Sequence, residues 1–374
     1  MDPSAIAGRW EAMEGLRKDA ALSDGPGETG HHPESQRAIR ISVIVPVYND
    51  RIALERCLEA LTSSAGPDVE IIVVDDASTD GSGAVAARPG VRVLRLPANA
   101  GPAAARNHGA RHARGDILFF VDADVEIAAG ALQHVAALLD ARRELAAVFG
   151  SYDASPLSGG VVSRYKNLLH HFVHQAGKGE ASTFWAGCGA IRKKVFEEVG
   201  GFDQERFRRP SIEDIELGYR LRGAGYRILL DKALQGTHSK HWTLRSLIWT
   251  DVMARAVPWS RLILESKGAP DDLNLRRDQR LSAALVGLAA ICVALAPIRP
   301  WLLAISASAL LGVVALNWRL YTFFARQGGL GFATACLLLH WLYYFYSGLT
   351  YLGIWASFRL RVVGRSARRE SPRA

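Results

Sequence analysis

Four short apolar runs, each cut off by polar residues, pattern the first third of the chain. Residues 40–47 (RISVIVPV), 69–74 (VEIIVV), 91–96 and Ile117–Val121 (ILFFV) are rich in β-branched and aromatic side chains. They are too short for helices and show little polar alternation, so they predict strands. The run at 91–96 reads as an edge, the others as buried on both faces. Helical signals fill the gaps. Asn49 or Asp50 can cap a helix running to Leu61, residues 77–82 offer several capping side chains, and Gly101-Pro102 opens a helix with proline in its tolerated first turn. That helix carries Arg106 and Asn107 and ends near Arg114-Gly115. Strand and helix alternating over short connections predict an α/β fold built on a mostly parallel, doubly wound sheet. Ligands bind such sheets at the carboxyl ends of the strands. Tyr48, Asp76 and the pair Asp122/Asp124 all fall there.

The pattern then changes. Residues 146–151 predict one more strand and 161–174 a helix, with His170, His171 and His174 near one face. These read as surface histidines beside a membrane or an acceptor groove rather than as a metal trio. Residues 183–189 (TFWAGCG) form a glycine-punctuated aromatic turn, followed by a helix over 192–199. Another helix begins at Ser211 and runs to about Gly223; its first turn carries Glu213 and Asp214, where the helix dipole stabilises negative charge. Residues 242–267 interleave Trp242, Trp249 and Trp259 with Arg245, Arg255 and Arg261, the composition of interfacial amphipathic helices. Three apolar stretches, 281–296, 301–316 and 330–356, predict C-terminal transmembrane helices. The organisation expected is a flexible arm over 1–38, a catalytic domain over 39–240, interfacial helices and a charged linker over 241–280, a membrane region over 281–358 and a basic tail over 359–374. A short helix near 6–16 is expected within the arm, and its His31-His32 pair reads as part of a polar tail.

Composition sharpens this reading. The 374 residues are 49% hydrophobic with a formal net charge of +8, and the basic residues gather beside the apolar segments and in the tail. That placement suits an anionic membrane surface and argues against nucleic acid. Cys57, Cys188, Cys292 and Cys336 are widely spaced and read as free thiols. No signal-peptide core opens the chain. Arg276-Arg277 before the first span favours a cytosolic catalytic domain at the cytoplasmic membrane. Three full crossings would put the Arg-rich tail outside, against the positive-inside tendency, so the side of the tail stays open.

The chemistry centres on Phe119-Phe120-Val121-Asp122-Ala123-Asp124. Carboxylates at i and i+2 of a strand leave the same face, so both can reach one divalent cation. A hard cation held by one or two carboxylates takes its other ligands from phosphate and water. The alternative is a solvated acid pair capping the next helix.

In order, VVDDASTDGS, NAGPAAARN, GDILFFVDAD, WAGCGAIRKKVFEEVGGFD and SIEDIELGYRLRGAGYRI, after the opening strand, resemble the family 2 glycosyltransferases of GT-A fold, over about residues 39–240. The resemblance implies a metal-dependent transferase of bacterial type. Pro46, Tyr48 and Asn49 would form the first nucleotide-contacting turn, with Tyr48 against the base. Asp76 would read the base edge, Arg106 lie near ribose or diphosphate, and Asp122 and Asp124 hold Mn2+ or Mg2+ with Asp122 also near ribose. Glu213 and Asp214 would be the catalytic pair, with Asp214 as general base. Trp185, Gly187 and Gly189 would line the acceptor and donor sugar, and His238 would complete the metal site. No Q-x-x-R-W block follows, since Gln279-Arg280 precedes Leu281, which argues against a processive polysaccharide synthase. The function expected is inverting transfer from a nucleotide-diphosphate sugar, UDP favoured over GDP, to a hydroxyl of a lipid-linked or membrane-surface acceptor. The alternatives are a polyprenyl-phosphate glycosyltransferase, which would need no base, and a nucleotide-binding component of glycan assembly or export.

Overall fold

The computed structural model describes residues 38–266 and 272–370. The expected N-terminal arm, its short helix and the His31-His32 pair lie outside the described residues. The four apolar runs are strands: β1 (Ile41–Val47), β2 (Val69–Asp75), β3 (Val91–Arg95) and β4 (Ile117–Val121). They pair in parallel in the order β3-β2-β1-β4. Helices α1 (Arg51–Ser64), α2 (Ser82–Ala86) and α3 (Pro102–His112) connect them.

The second half of the sheet is mixed. β5 (Val125–Ile127), β6 (Leu145–Tyr152), β7 (Cys188–Arg192) and β8 (Arg227–His238) extend it to eight strands, in the order β3-β2-β1-β4-β7-β6-β8-β5. β7 runs antiparallel to both β4 and β6, and β5 antiparallel to β8. The reading of 183–189 as a turn therefore needs correction at its end, because Cys188 and Gly189 already belong to β7. Two glycine-rich positions hid a strand that is buried over most of its length.

Side chains alternate across this sheet, as the strand period of two requires. Val43, Val45, Val73, Phe119 and Val121 face a layer holding Leu54 and Leu58 of α1 and Leu132 and Val135 of α4 (Ala131–Ala141). Ile44, Val74, Leu118 and Phe120 face the opposite layer, with α3, α6 (Lys193–Glu198) and α7 (Glu213–Gly223). A sheet buried on both faces explains why its strands read as continuous apolar runs.

Helix α5 (Val161–Ala176) leads from the sheet to the remainder. A continuous helical segment follows β8: α8 (Leu244–Trp249), a π-helical stretch Thr250–Ala256, and α9 (Val257–Glu265). Then come α10 (Arg277–Leu295), α11 (Leu302–Leu316) and α12 (Trp318–Glu370). Two helices, Arg277–Leu295 and Trp318–Leu360, are long and apolar enough to cross a membrane. Leu302–Leu316 is a shorter apolar helix; fifteen residues rise about 22 Å, less than a hydrocarbon core of about 30 Å. Helix α12 is broken at Gly329, whose φ of 78° and ψ of 178° suit glycine alone. Before the break Leu320, Tyr321 and Phe324 pack on Tyr165 and Leu168 of α5. Beyond it Tyr344 packs with Val286 and Val313 of α10 and α11.

Candidate active site

The exits of β1 and β2 are locked together. Asn49 lies in the left-handed region (φ 52°). Its backbone N–H donates to Ser78 Oγ at 3.0 Å, and its Oδ1 accepts from Thr79 N at 2.8 Å. Tyr48, just before it, is half exposed, while Pro46 sits half-buried within β1. Asp76 is buried and fully engaged. It accepts from Ala100 N at 2.7 Å, Gly101 N at 2.8 Å and Asn99 Nδ2 at 3.1 Å. It thus ties the exit of β2 to the start of α3, with Oδ1 taking one donor and Oδ2 two. Ala77, next in the chain, has φ 62°. A Cβ there costs about 1–2 kcal/mol, partly offset by the greater unfolded-state entropy of glycine. Ala77→Gly is therefore expected to stabilise the fold by about 0.5–1 kcal/mol, read as a higher urea midpoint; an unchanged midpoint would show the strain to be absent.

Arg106 joins two of the sequence blocks. Its guanidinium donates from Nη2 to Asp122 Oδ1 at 2.6 Å and from Nη1 to Glu213 Oε1 at 2.9 Å. Glu213 Oε2 accepts from Ser211 N at 2.9 Å. The interior would strip Arg106 of charge, but Asp122 and Glu213 more than compensate, so its pKa is raised. Asp214 is held differently. Its Oδ1 accepts from Ile215 N at 2.8 Å and its Oδ2, weakly, from Ala186 N at 3.2 Å. Burial first, and Glu213 second, push its carboxyl up to about 7, against the pull of Arg106. The neighbouring Gly187 carbonyl accepts from Asp122 N at 3.2 Å. Two adjacent residues, Ala186 and Gly187, therefore touch both acidic motifs.

Asp124 and His238 meet because β8 pairs with β5, His238 standing opposite Val125. His238 Nε2 lies 3.3 Å from Asp124 Oδ2, and its Nδ1 lies 2.5 Å from Asn167 Oδ1. With the amide oxygen as acceptor, Nδ1 carries a proton there, and Nε2 is left either to donate to Asp124 or to share a cation with it, Asn167 orienting the ring from behind. Among the described residues no group of three His, Cys, Asp or Glu closes a metal site by itself. The set Asp124, His238 and the one-third-exposed Asp122 fits a hard cation that draws further ligands from a diphosphate.

The wall of the cleft is aromatic. Tyr152 stacks on His238 with centroids 4.2 Å apart and meets Trp185 edge-on at 4.9 Å. Burial, then the charges of Asp124, Asp122 and Asp214, raise the Tyr152 phenol well above its usual range. Glycines make the crowding possible. A Cβ on Gly187 would lie 2.5 Å from the Trp185 ring, and one on Gly189 would lie 2.3 Å from the Trp185 carbonyl. A Cβ on Gly218 would lie 2.3 Å from Phe184 N, so this residue lets α7 carry Asp214 up against the aromatic loop.

A glycosyl transferase family 2 model matches residues 42–200. These residues are a family 2 glycosyltransferase domain. A pre-mycofactocin glycosyltransferase of Mycobacterium tuberculosis is 30% identical over 226 residues, 56% of this chain and 44% of that protein. The probable glycosyltransferase YdaM of Bacillus subtilis is 26% identical over 205 residues, 50% of this chain and 48% of that protein. The chain thus spans less than half the length of these relatives. Among solved structures, a mannosyltransferase of Pyrobaculum calidifontis in complex with GDP-mannose and Mn2+ superposes with a TM-score of 0.53 at 20% identity. That match covers 93% of this chain and 94% of the other and shows a shared GT-A-like fold.

Within this domain the histidine trio divides. His171 and His174 bond the carbonyls of Tyr152 and Gly150 at 2.7 and 2.9 Å, the contacts of packed core histidines. His170 instead lies against Tyr152 and Trp185 in the cleft wall, and burial holds it neutral. Asn167 and Tyr152 both touch His238, and the sequence did not single them out. Asn167 sits on an apolar helical face, one turn before His171, and a lone amide at such a position is the signal that was available. All four cysteines are buried and free.

Proposed function

We propose that this glycosyltransferase moves a sugar from a nucleotide-diphosphate donor to a hydroxyl of a lipid-linked or membrane-surface acceptor, with inversion at the anomeric carbon. The observation that carries the reading is Asp214. It is a half-buried carboxylate raised to about 7, linked through Ala186 and Gly187 to the Asp122 backbone. A base working at neutral pH needs such a value. Asp214 Oδ2 has only one weak backbone donor and keeps capacity to take the acceptor proton. Glu213 is spent on Arg106 and Ser211, so it acts as a positioning residue. A divalent cation, when bound at Asp122, Asp124 and His238, would neutralise charge growing on the leaving diphosphate.

Tyr48 offers an exposed ring to a base. The uridine preference rests on Asp76 reading a base edge; since that carboxylate also holds the 99–101 loop, UDP- and GDP-sugars are tested alike. Donor hydrolysis by the wild type is expected to require Mn2+ or Mg2+, and Asp124→Asn to lower it at least tenfold at fixed metal. Hydrolysis indifferent to EDTA would remove the metal from the reading. A polyprenyl-phosphate acceptor is the second reading; it needs no base and predicts that Asp214→Asn stays active. Exposed apolar side chains along α10 and α12, among them Ile291, Leu330 and Leu352, support membrane insertion. We place the catalytic domain on the cytosolic side, and a reporter fused after Ala374 gives the side of the tail.

A further inference from the structure

We infer that Lys166 and Arg255 form a subsite for the phosphate or diphosphate of a lipid-linked acceptor, between the catalytic cleft and the bilayer-facing helices. The inference rests on the glycosyl-transfer reading above and names the acceptor class for that site.

Lys166 lies one helical turn before His170 on α5, so both share the face that lines the cleft wall. Its Nζ is 2.6 Å from Asp251 Oδ1, inside the π-helical stretch. Asp251 also accepts from Tyr346 Oη at 2.8 Å and lies 3.4 Å from Arg255 Nη1. One buried carboxylate thus holds two cations and a phenol, leaving a positive surplus. Arg255 is the open member. Its side chain is 44% exposed, and among the described residues it makes no other hydrogen bond than the long one to Asp251.

Position does the rest. Ser211 Oγ donates to the carbonyl of Ala254 at 3.0 Å, which fastens the residue beside Arg255 to the loop that leads into Asp214. Tyr346, on the other side, belongs to the apolar span of α12. A planar guanidinium beside an ammonium matches a phosphate, which Arg can bind in bidentate fashion. A neutral acceptor would have no use for charge at this junction. π-helical segments inside α-helices often mark such functional positions.

The test uses the full chain in detergent micelles, on an Asp124→Asn background that removes diphosphate binding at the donor site. Farnesyl diphosphate, farnesol and inorganic pyrophosphate are compared by titration calorimetry. Farnesyl diphosphate is expected to bind at least about tenfold tighter than either of the others, with R255Q losing about tenfold, the value of one charge-assisted contact, and R255K retaining most of it. K166Q strands Asp251 and is expected to misfold, so R255Q decides. Equal binding of farnesol, or an R255Q titration matching its parent, overturns the subsite. Pyrophosphate binding as tightly as the prenyl compound would make it a free-phosphate site, and displacement by phosphatidylglycerol vesicles a bilayer-lipid site; both overturn the inference. If binding fails while wild-type donor hydrolysis remains metal-dependent, the subsite alone falls. If donor hydrolysis is absent from the wild type, the reading beneath it falls.

Discussion

Asp214→Asn is expected to abolish turnover, by about 10²–10⁴-fold, while leaving the fold at least as stable. The two halves share one cause. Burial and Glu213 lift the folded carboxyl from 3.8 to about 7. A folded pKa above the unfolded one means that the folded state binds the proton more tightly. Stability from this site is therefore full below about pH 4 and is lost as pH rises to about 7. At pH 8 the wild type carries a half-buried charge costing at most about 4 kcal/mol, which asparagine does not carry. The variant should melt at the same temperature or higher at pH 8, with the difference vanishing near pH 4. Wild-type turnover should rise with pH to a plateau, with its midpoint near 7. A variant that keeps more than a tenth of wild-type turnover, or a profile flat from pH 5 to 8, would sink the base assignment.

Arg106→Met is the second large effect. It leaves Asp122 and Glu213 facing each other without their shared cation, and breaking one partner of such a buried pair costs about 3–5 kcal/mol. Arg106 also restrains the rise of Asp214. Its loss should move the midpoint of the pH–rate profile above 7. Arg106→Lys keeps charge but not the two-armed geometry, so the midpoint should return while much of the stability loss persists. Chemical unfolding and the pH profile together separate the roles. If both midpoints match wild type in Arg106→Met, the guanidinium bridge has no consequence.

Much of this architecture was legible in the chain. β1, β2 and β4 announced themselves because burial on both faces demands unbroken apolar runs. β7 and β8 did not. Cys188–Arg192 contains glycine where Trp185 and Phe184 crowd the backbone, and it looked like a turn. Arg227–His238 carries Asp231, Lys232 and Gln235, since much of that strand meets solvent. The acidic motifs were visible as short spacings within single elements. The link between them was not, because Arg106 reaches Glu213 across 107 positions and Asn167 reaches His238 across 71. Side chains joined over such separations share no local pattern. Asp76 shows the converse: its strand-end position was readable, but only the folded 99–101 loop reveals what occupies its oxygens.

The break at Gly329 sets the length of the last helix. Unbroken, the 43 residues from Trp318 to Leu360 would be a rod of about 64 Å, roughly twice the hydrocarbon thickness of a bilayer. No tilt of ordinary size absorbs that excess. Open space surrounds the missing Cβ at this residue, so backbone strain alone selects glycine here. One hydrogen atom in place of a side chain thereby turns the chain between two straight arms, both of which reach α5, through Phe324 before the turn and Phe332 and Cys336 after it.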